Sequence, residues 1–263
     1  MPTVDDAASP RPQFGVIFDV DGVLLDSLPA HLDVCRKRGL EYGLNLSIPD
    51  PAAFRSMVRQ GVKISPMVDF FRAVGFPSDL AERADYDYQH NFSREYTSPL
   101  FPGVSEMLAR FKTANWEMGI VTSNTRGNIR ESLGSLKTYF RHESIFTRED
   151  GISKAVAIEC LTDLFYLKPH QVVYIGDQPA DAKAALDAGV RFLGVTYGWG
   201  IERGDNGMET VGHPKEIADY LLAGFTGGTT PTESSPLSED AHISSTRTSA
   251  KPAPATTRQS RRS

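Results

Sequence analysis

The sequence predicts an α/β fold, a doubly wound parallel sheet with a small helical segment inserted after its first strand. Three observations predict it. Short apolar runs, residues 15–18, 116–121, 172–175 and 192–196, are rich in β-branched and aromatic side chains and too short for helices. Between most of them lie stretches with apolar residues three and four apart, the alternation that builds parallel βαβ units. Two of the runs end in acids at a turn, Asp19-Val-Asp21-Gly22 and Gly176-Asp177, and an open parallel sheet binds its ligands just beyond the carboxyl ends of its strands.

In chain order, residues 1–12 carry nothing to bury, and Met1–Gln13 holds no apolar run, which predicts no secretory leader. After the first strand, Leu28, His31, Leu32, Cys35 and Leu40 set a helical period that Gly39 or Gly43 would stop. Residues 45–100 show short amphipathic helices punctuated by Pro and Gly, at 51–59, 66–74 and 78–96, and no strand pattern. In Asp85-Tyr-Asp-Tyr88 the alternation predicts one exposed and one buried stripe. Pro99-Leu-Phe-Pro-Gly103 marks the return to the sheet and precedes a helix over 104–114. Helices at 126–135 and 155–165 follow, then an Ala-rich helix after Pro179, whose missing N–H suits a first turn. The expected division is an α/β core over 13–27 and 100–223, a helical insertion over 28–99, and unstructured termini at 1–12 and 224–263, the last rich in Thr, Ser, Pro and Ala.

Composition narrows the function. With 263 residues, 40% of them hydrophobic, the chain can bury a substantial core. The net charge is −5, and the basic residues of the tail (Arg247, Lys251, Arg258, Arg261, Arg262) leave the body more acidic still, which argues against nucleic acid as a partner. No apolar run reaches the roughly 20 residues of a membrane span. Cys35 and Cys160 lack metal-ligand spacing and read as reduced structural thiols of a cytoplasmic protein.

Asp19 and Asp21 repel each other at a strand end, and a hard cation such as Mg²⁺, with its preference for carboxylate, water and phosphate oxygens, is the simplest compensation. Asp19 could then attack phosphorus, and Asp21 could pass a proton to the leaving oxygen. An ordinary solvated turn is the competing reading of Asp-x-Asp-Gly. Ser123 stands at the end of the strand read over 116–124, where its hydroxyl and the N–H groups of the next turn could donate to a phosphoryl oxygen, although Asn124 or Thr125 there also suits a helix N-cap. Asp177 and Asp181, four apart, can both face the strand ends, one binding a metal directly and the other through water or by orienting a lysine. His31 is either catalytic or packed. Arg55, Arg59, Gln60 and Lys63 are candidates for the non-phosphate end of a substrate, against a reading as a solvated charged face.

The string Asp19-Val-Asp21-Gly22-Val-Leu24-Leu-Asp26-Ser27 resembles the first signature of the haloacid-dehalogenase-like (HAD) hydrolases, in their phosphoglycolate-phosphatase-like branch. Gly176-Asp177-Gln-Pro-Ala-Asp181 with its Ala-rich helix is similar to the fourth, and the strand ending at Ser123, with Asn124 beside it, to the second. For the third, a phosphate-neutralising lysine, Lys154 at a helix start is chosen over Lys168 just ahead of a strand, although Lys154 lacks the proline usual after it. The resemblance implies a Rossmann-like core with a helical cap over the site. It also implies a Mg²⁺-dependent phosphatase of a small phosphorylated metabolite. Asp19 would form an aspartyl-phosphate, Asp21 would be general acid and base, and Ser123, Asn124 and Lys154 would hold the phosphate. Asp19, the Asp21 carbonyl and Asp177 would bind the metal, with Asp181 in support. A dehalogenase lacks the second Asp; a phosphomutase or a non-catalytic phosphate-binding scaffold remains as an alternative.

Overall fold

The computed structural model describes residues 12–226. The expectations for 1–11 and 227–263 lie outside the described residues. At the other edge of that expectation Gly224 is not yet tail, because the last helix runs on to Thr226.

Six parallel strands form one sheet in the order β3-β2-β1-β4-β5-β6: β1 Gly15–Phe18, β2 Glu117–Val121, β3 Ile145–Phe146, β4 Val172–Gly176, β5 Arg191–Val195 and β6 Thr210–Val211. Both faces are covered, which is why β1 and β4 read as unbroken apolar runs. Along β1 the side chains alternate between two cores. Val16 and Phe18 join Val173 and Ile175 on one face, under α5 (Val104–Thr113) and α9 (Pro214–Thr226), while Ile17 joins Val172 and Tyr174 on the other, under α7 (Lys154–Leu164) and α8 (Pro179–Asp187). The order reverses between β1 and β4, whose register pairs Phe18 with Ile175. Asp19 and Asp177 therefore leave the sheet side by side, at the switch point.

Between β1 and α5 lie four helices: α1 Leu28–Glu41, α2 Pro51–Arg59, α3 Met67–Ala73 and α4 Ser78–Glu95. Gly39 stays inside α1, and the turn comes at Gly43, with φ +69°. These helices pack around their own aromatic cluster, Phe54, Phe70, Phe71, Phe76, Tyr88 and Phe92, and admit one core residue, Trp199 from the loop after β5. The expected alternation in Asp85-Tyr-Asp-Tyr88 does not hold: Tyr86 is exposed and Tyr88 buried, because residues two apart on the helix α4 lie on opposite sides of it. After α6 (Arg126–Leu133) the chain tightens into a 3₁₀ turn over Gly134–Tyr139 and then enters β3. Cys35 is buried in the helical cluster, but Cys160 is exposed on α7, so only the first thiol is structural.

Candidate active site

The turn after β1 is built to present two acids in different directions. The Val20 carbonyl accepts the N–H groups of Val23, Leu24 and Leu25 at 3.2, 2.9 and 2.9 Å, curling the chain so that Val23, Leu24 and Leu25 bury while Asp21 is carried back over the strand ends. Asp19 stays at the sheet, its Oδ1 accepting the Val20 N–H at 2.7 Å. Gly22, at φ +79°, permits the curl and also clears space, because a Cβ there would collide with Asp177 Oδ2. Gly198 packs against the other side of the same carboxylate, where a Cβ would run into the Asp177 side chain.

Carboxylate oxygens of Asp19, Asp177 and Asp181 lie within 4.8 Å of one another, all three residues buried. Lys154, on the first turn of α7 behind the N-cap of Ser153, sits between two of them, donating to Asp19 Oδ2 at 2.6 Å and to Asp181 Oδ1 at 2.7 Å. Asp181 has both oxygens committed. Its Oδ1 also faces the Tyr174 hydroxyl at 3.4 Å, and its Oδ2 accepts the N–H groups of Asp177 and Gln178 at 3.2 and 3.1 Å. It therefore orients Lys154 and caps α8. Asp177 differs: its Oδ2 accepts the Trp199 N–H at 2.6 Å, but its Oδ1 is buried with no partner among the described residues. An unpaired buried carboxylate oxygen beside Asp19, in a set of oxygen donors, fits a hard divalent cation.

The titration of these groups reflects the crowding. Burial pushes Asp19 up to about 6, with Lys154 pulling against it and Asp181 and Asp21 adding to it. Asp177 is driven well above the usual carboxylate range by burial and then by the charges of Asp181 and Asp19. Burial alone would lower Lys154, but Asp181 and Asp19 outweigh it and hold the ammonium charged.

Opposite this group, Ser123 lies at the exposed mouth, its Oγ 3.3 Å from Ser65 Oγ on the helical segment. Asn124, which lines the same cleft, is held by hydrogen bonds within the protein. Its Nδ2 donates to Asp21 Oδ2 at 2.8 Å, and its Oδ1 accepts from the Thr125 N–H at 2.7 Å and Asn128 Nδ2 at 3.1 Å. That arrangement aims Asp21, whose Oδ1 is left buried and unpartnered. Lys168 is exposed beside Gln171 and stands away from the cleft.

A cavity of about 370 Å³ joins Asp19, Asp21, Ser123, Lys154 and Asp181 to the helical segment. The four polar residues expected to meet a substrate there do not line it. Arg55 Nε donates to the Gly198 carbonyl at 2.9 Å, Arg59 pairs with Glu202 at 2.7 Å, Gln60 bonds Ser56, and Lys63 pairs with Asp69 at 2.6 Å. Two of them thus clasp the helical segment to the loop after β5. The residues that do line the roof join four apolar side chains, Ile64, Met67, Phe70 and Trp199, to the polar Ser65, Tyr88 and His31, and carry no motif. His31 is buried in a ring of Phe70, Tyr88, Phe92 and Trp199, with Nδ1 2.7 Å from the Ser27 carbonyl and Nε2 2.9 Å from the Tyr88 hydroxyl. The sequence signal for the roof was present but weak: Trp199 in the glycine-rich loop 196–200, and Tyr88 on the buried stripe of α4.

A parallel sheet with carboxylates converging at its switch point, under a helical cap, defines a class of α/β hydrolases. Within that class, a family model for haloacid dehalogenase-like hydrolases matches residues 16–195, and the chain belongs to that family. Among curated relatives, an N-acetylmuramic acid 6-phosphate phosphatase from Pseudomonas putida is 26% identical over 81% of this chain and 97% of its own length. A phosphoglycolate phosphatase from Synechococcus elongatus is 28% identical over 70% of this chain and 84% of its own. Among solved structures, a predicted phosphoglycolate phosphatase from Haemophilus somnus superposes with a TM-score of 0.67 at 19% identity, covering 80% of this chain and 98% of the other.

Proposed function

We propose that the protein is a Mg²⁺-dependent phosphatase that hydrolyses a small phosphomonoester through a phosphoryl group carried on Asp19. The observation that carries this reading is Lys154 held between Asp19 and Asp181, with the unpartnered Asp177 Oδ1 beside them. The curated phosphatases among the relatives support it. Asp19, Asp177 and the main-chain carbonyl of Asp21 would hold the ion, which when bound supplies positive charge against the phosphoryl oxygens.

A carboxylate oxygen of Asp19 attacks phosphorus, and the bond from phosphorus to the ester oxygen breaks. Asp21 gives its proton to that leaving oxygen, which departs as an alcohol. In the second half Asp21, now ionised, takes a proton from water as that water attacks phosphorus, and the bond from Asp19 to phosphorus breaks. Lys154 and the Ser123 hydroxyl donate to the phosphoryl oxygens, and the ammonium also keeps buried Asp19 ionised for attack. Asn124 holds Asp21 toward the leaving group. The cap excludes water from the first half-reaction.

The test is release of inorganic phosphate from p-nitrophenyl phosphate by purified protein with Mg²⁺. Asp19→Asn and chelation of the metal are each expected to reduce it to background. Undiminished turnover by Asp19→Asn would remove Asp19 as the nucleophile.

A further inference from the structure

The roof of the cavity carries a substrate preference that the curated relatives do not indicate. We propose that the alcohol released is uncharged and turns an apolar or aromatic face to the cap, so that a carboxylate-bearing ester such as phosphoglycolate is a poor substrate. This rests on the phosphatase reading above and concerns only the non-phosphate end.

Ile64, Met67 and Trp199, each at most 9% exposed, line the cap side of the cavity with apolar atoms, and the fully buried Phe70 backs them. Phe70 meets Trp199 edge-on with centroids 6.0 Å apart and so fixes the Trp199 ring on that side. A substrate carboxylate would need a cation there, because a buried charge without a partner is strongly disfavoured. The cavity is lined by two lysines. Lys154 is committed to Asp19 and Asp181, and Lys183, 72% exposed at the outer rim, pairs with Asp187 at 2.7 Å. Arg148, bordering the neighbouring cleft, is held by Asp85 at 3.1 Å. Both ring nitrogens of His31 are engaged by Ser27 and Tyr88. The acid of the cavity that lies outside the floor, Asp187, is itself the partner of Lys183, so this rim offers no free counter-ion to a second negative group on the substrate.

The experiment compares kcat/KM for benzyl phosphate and phosphoglycolate, using the full chain with Mg²⁺ and with p-nitrophenyl phosphate as a third arm. Both test esters release an alcohol rather than a phenol, so their ratio reads recognition. Benzyl phosphate is expected to exceed phosphoglycolate at least tenfold. If p-nitrophenyl phosphate is hydrolysed but phosphoglycolate matches or exceeds benzyl phosphate, the inference is overturned and the phosphatase reading stands. If none of the three is hydrolysed, the phosphatase reading itself fails and this one goes with it. Ile64→Lys, which puts an ammonium on the wall, is expected to shift the ratio toward phosphoglycolate at least fivefold. A folded variant with an unchanged ratio counts against the proposal, and should it fail to fold, the wild-type ratio decides.

Discussion

At the floor of the cleft, Asp19, Asp177 and Asp181 are packed around one ammonium, with hydrogen bonds of 2.6 and 2.7 Å from Lys154 to two of them. At the roof, His31 is enclosed by four aromatic rings, and the surface left facing the cavity is mostly hydrocarbon. The floor depends on charges whose partners are fixed by strand ends and helix starts, where a lost partner leaves another charge buried. The roof depends on shape, where a lost side chain leaves a void. Equal-sized substitutions in the two regions should therefore damage different properties.

The largest effect is expected from Lys154→Met. The side chain keeps its length, but Asp19 and Asp181 lose their shared counter-charge, and the phosphoryl oxygens lose a donor. Phosphate release should fall on the order of 10³-fold. Urea unfolding should show a loss of about 3 kcal/mol, the cost of removing one partner from a buried pair. If turnover survives, the floor does not work through that ammonium.

Trp199→Ala sharpens the comparison because Trp199 belongs to both regions. Its backbone N–H holds Asp177 Oδ2 at 2.6 Å, while its ring packs against His31, Phe54 and Phe70 in the helical cluster. The substitution keeps the first contact and deletes the second. It should cost about 3–5 kcal/mol in unfolding free energy. Affinity for Mg²⁺, measured on the folded variant by calorimetry, should change little. A large loss of metal affinity would show that the two regions are not separable.

Asn124→Ala comes next. It removes the donor that aims Asp21, and a misaimed acid matters only when the leaving oxygen needs a proton. Turnover of benzyl phosphate is expected to fall by about tenfold, within the range of general acid catalysis, while p-nitrophenyl phosphate, which leaves readily as an anion, should change about twofold or less. Equal losses on both esters would assign Asn124 to the phosphate after all.

The same contrast explains what the sequence made legible. Asp19, Asp21, Asp177 and Asp181 stand in short strings at strand ends, Asp177 just before the Ala-rich helix and Asp181 in its first turn, so that both can be read as facing the strand ends without coordinates. Lys154 is readable for a similar reason, since it opens the helix expected over 155–165. The roof offered no such string. Arg55 and Arg59 look like substrate contacts because they are cationic and close in sequence, yet their reach is settled by Gly198 and Glu202, well over a hundred residues away. The two-residue strands β3 and β6 were not predicted, because pairing of Ile120 with Ile145 and of Val195 with Val211 creates them and no local period announces them. The sequence sets Asn124 beside Ser123, but position along the chain does not reveal which way its amide turns, here toward Asp21.

The smallest effect tests whether charge matters in the helical region at all. Glu95, at the end of α4, accepts from Lys37 at 2.5 Å and from Arg38 at 3.0 Å, tying α4 to α1. Its hydrogen bond to Lys37 outweighs the opposing effect of burial and, with further help from Arg38, holds the carboxyl below its ordinary value of 4.5. A carboxyl lowered in the folded state binds fewer protons there than in the unfolded chain, so its contribution is complete above the unfolded value and is lost as pH falls through the folded one. Stability at neutral pH should therefore drop slightly in Glu95→Gln, and the difference from wild type should shrink as pH falls below 4.5, since the carboxyl of the folded wild type then becomes neutral as well. Thermal unfolding of the two proteins between pH 3 and 7 checks this. A gap that stays constant across that range would mean that Glu95 acts by packing, and that the cap is held together by its aromatic cluster without measurable help from charge.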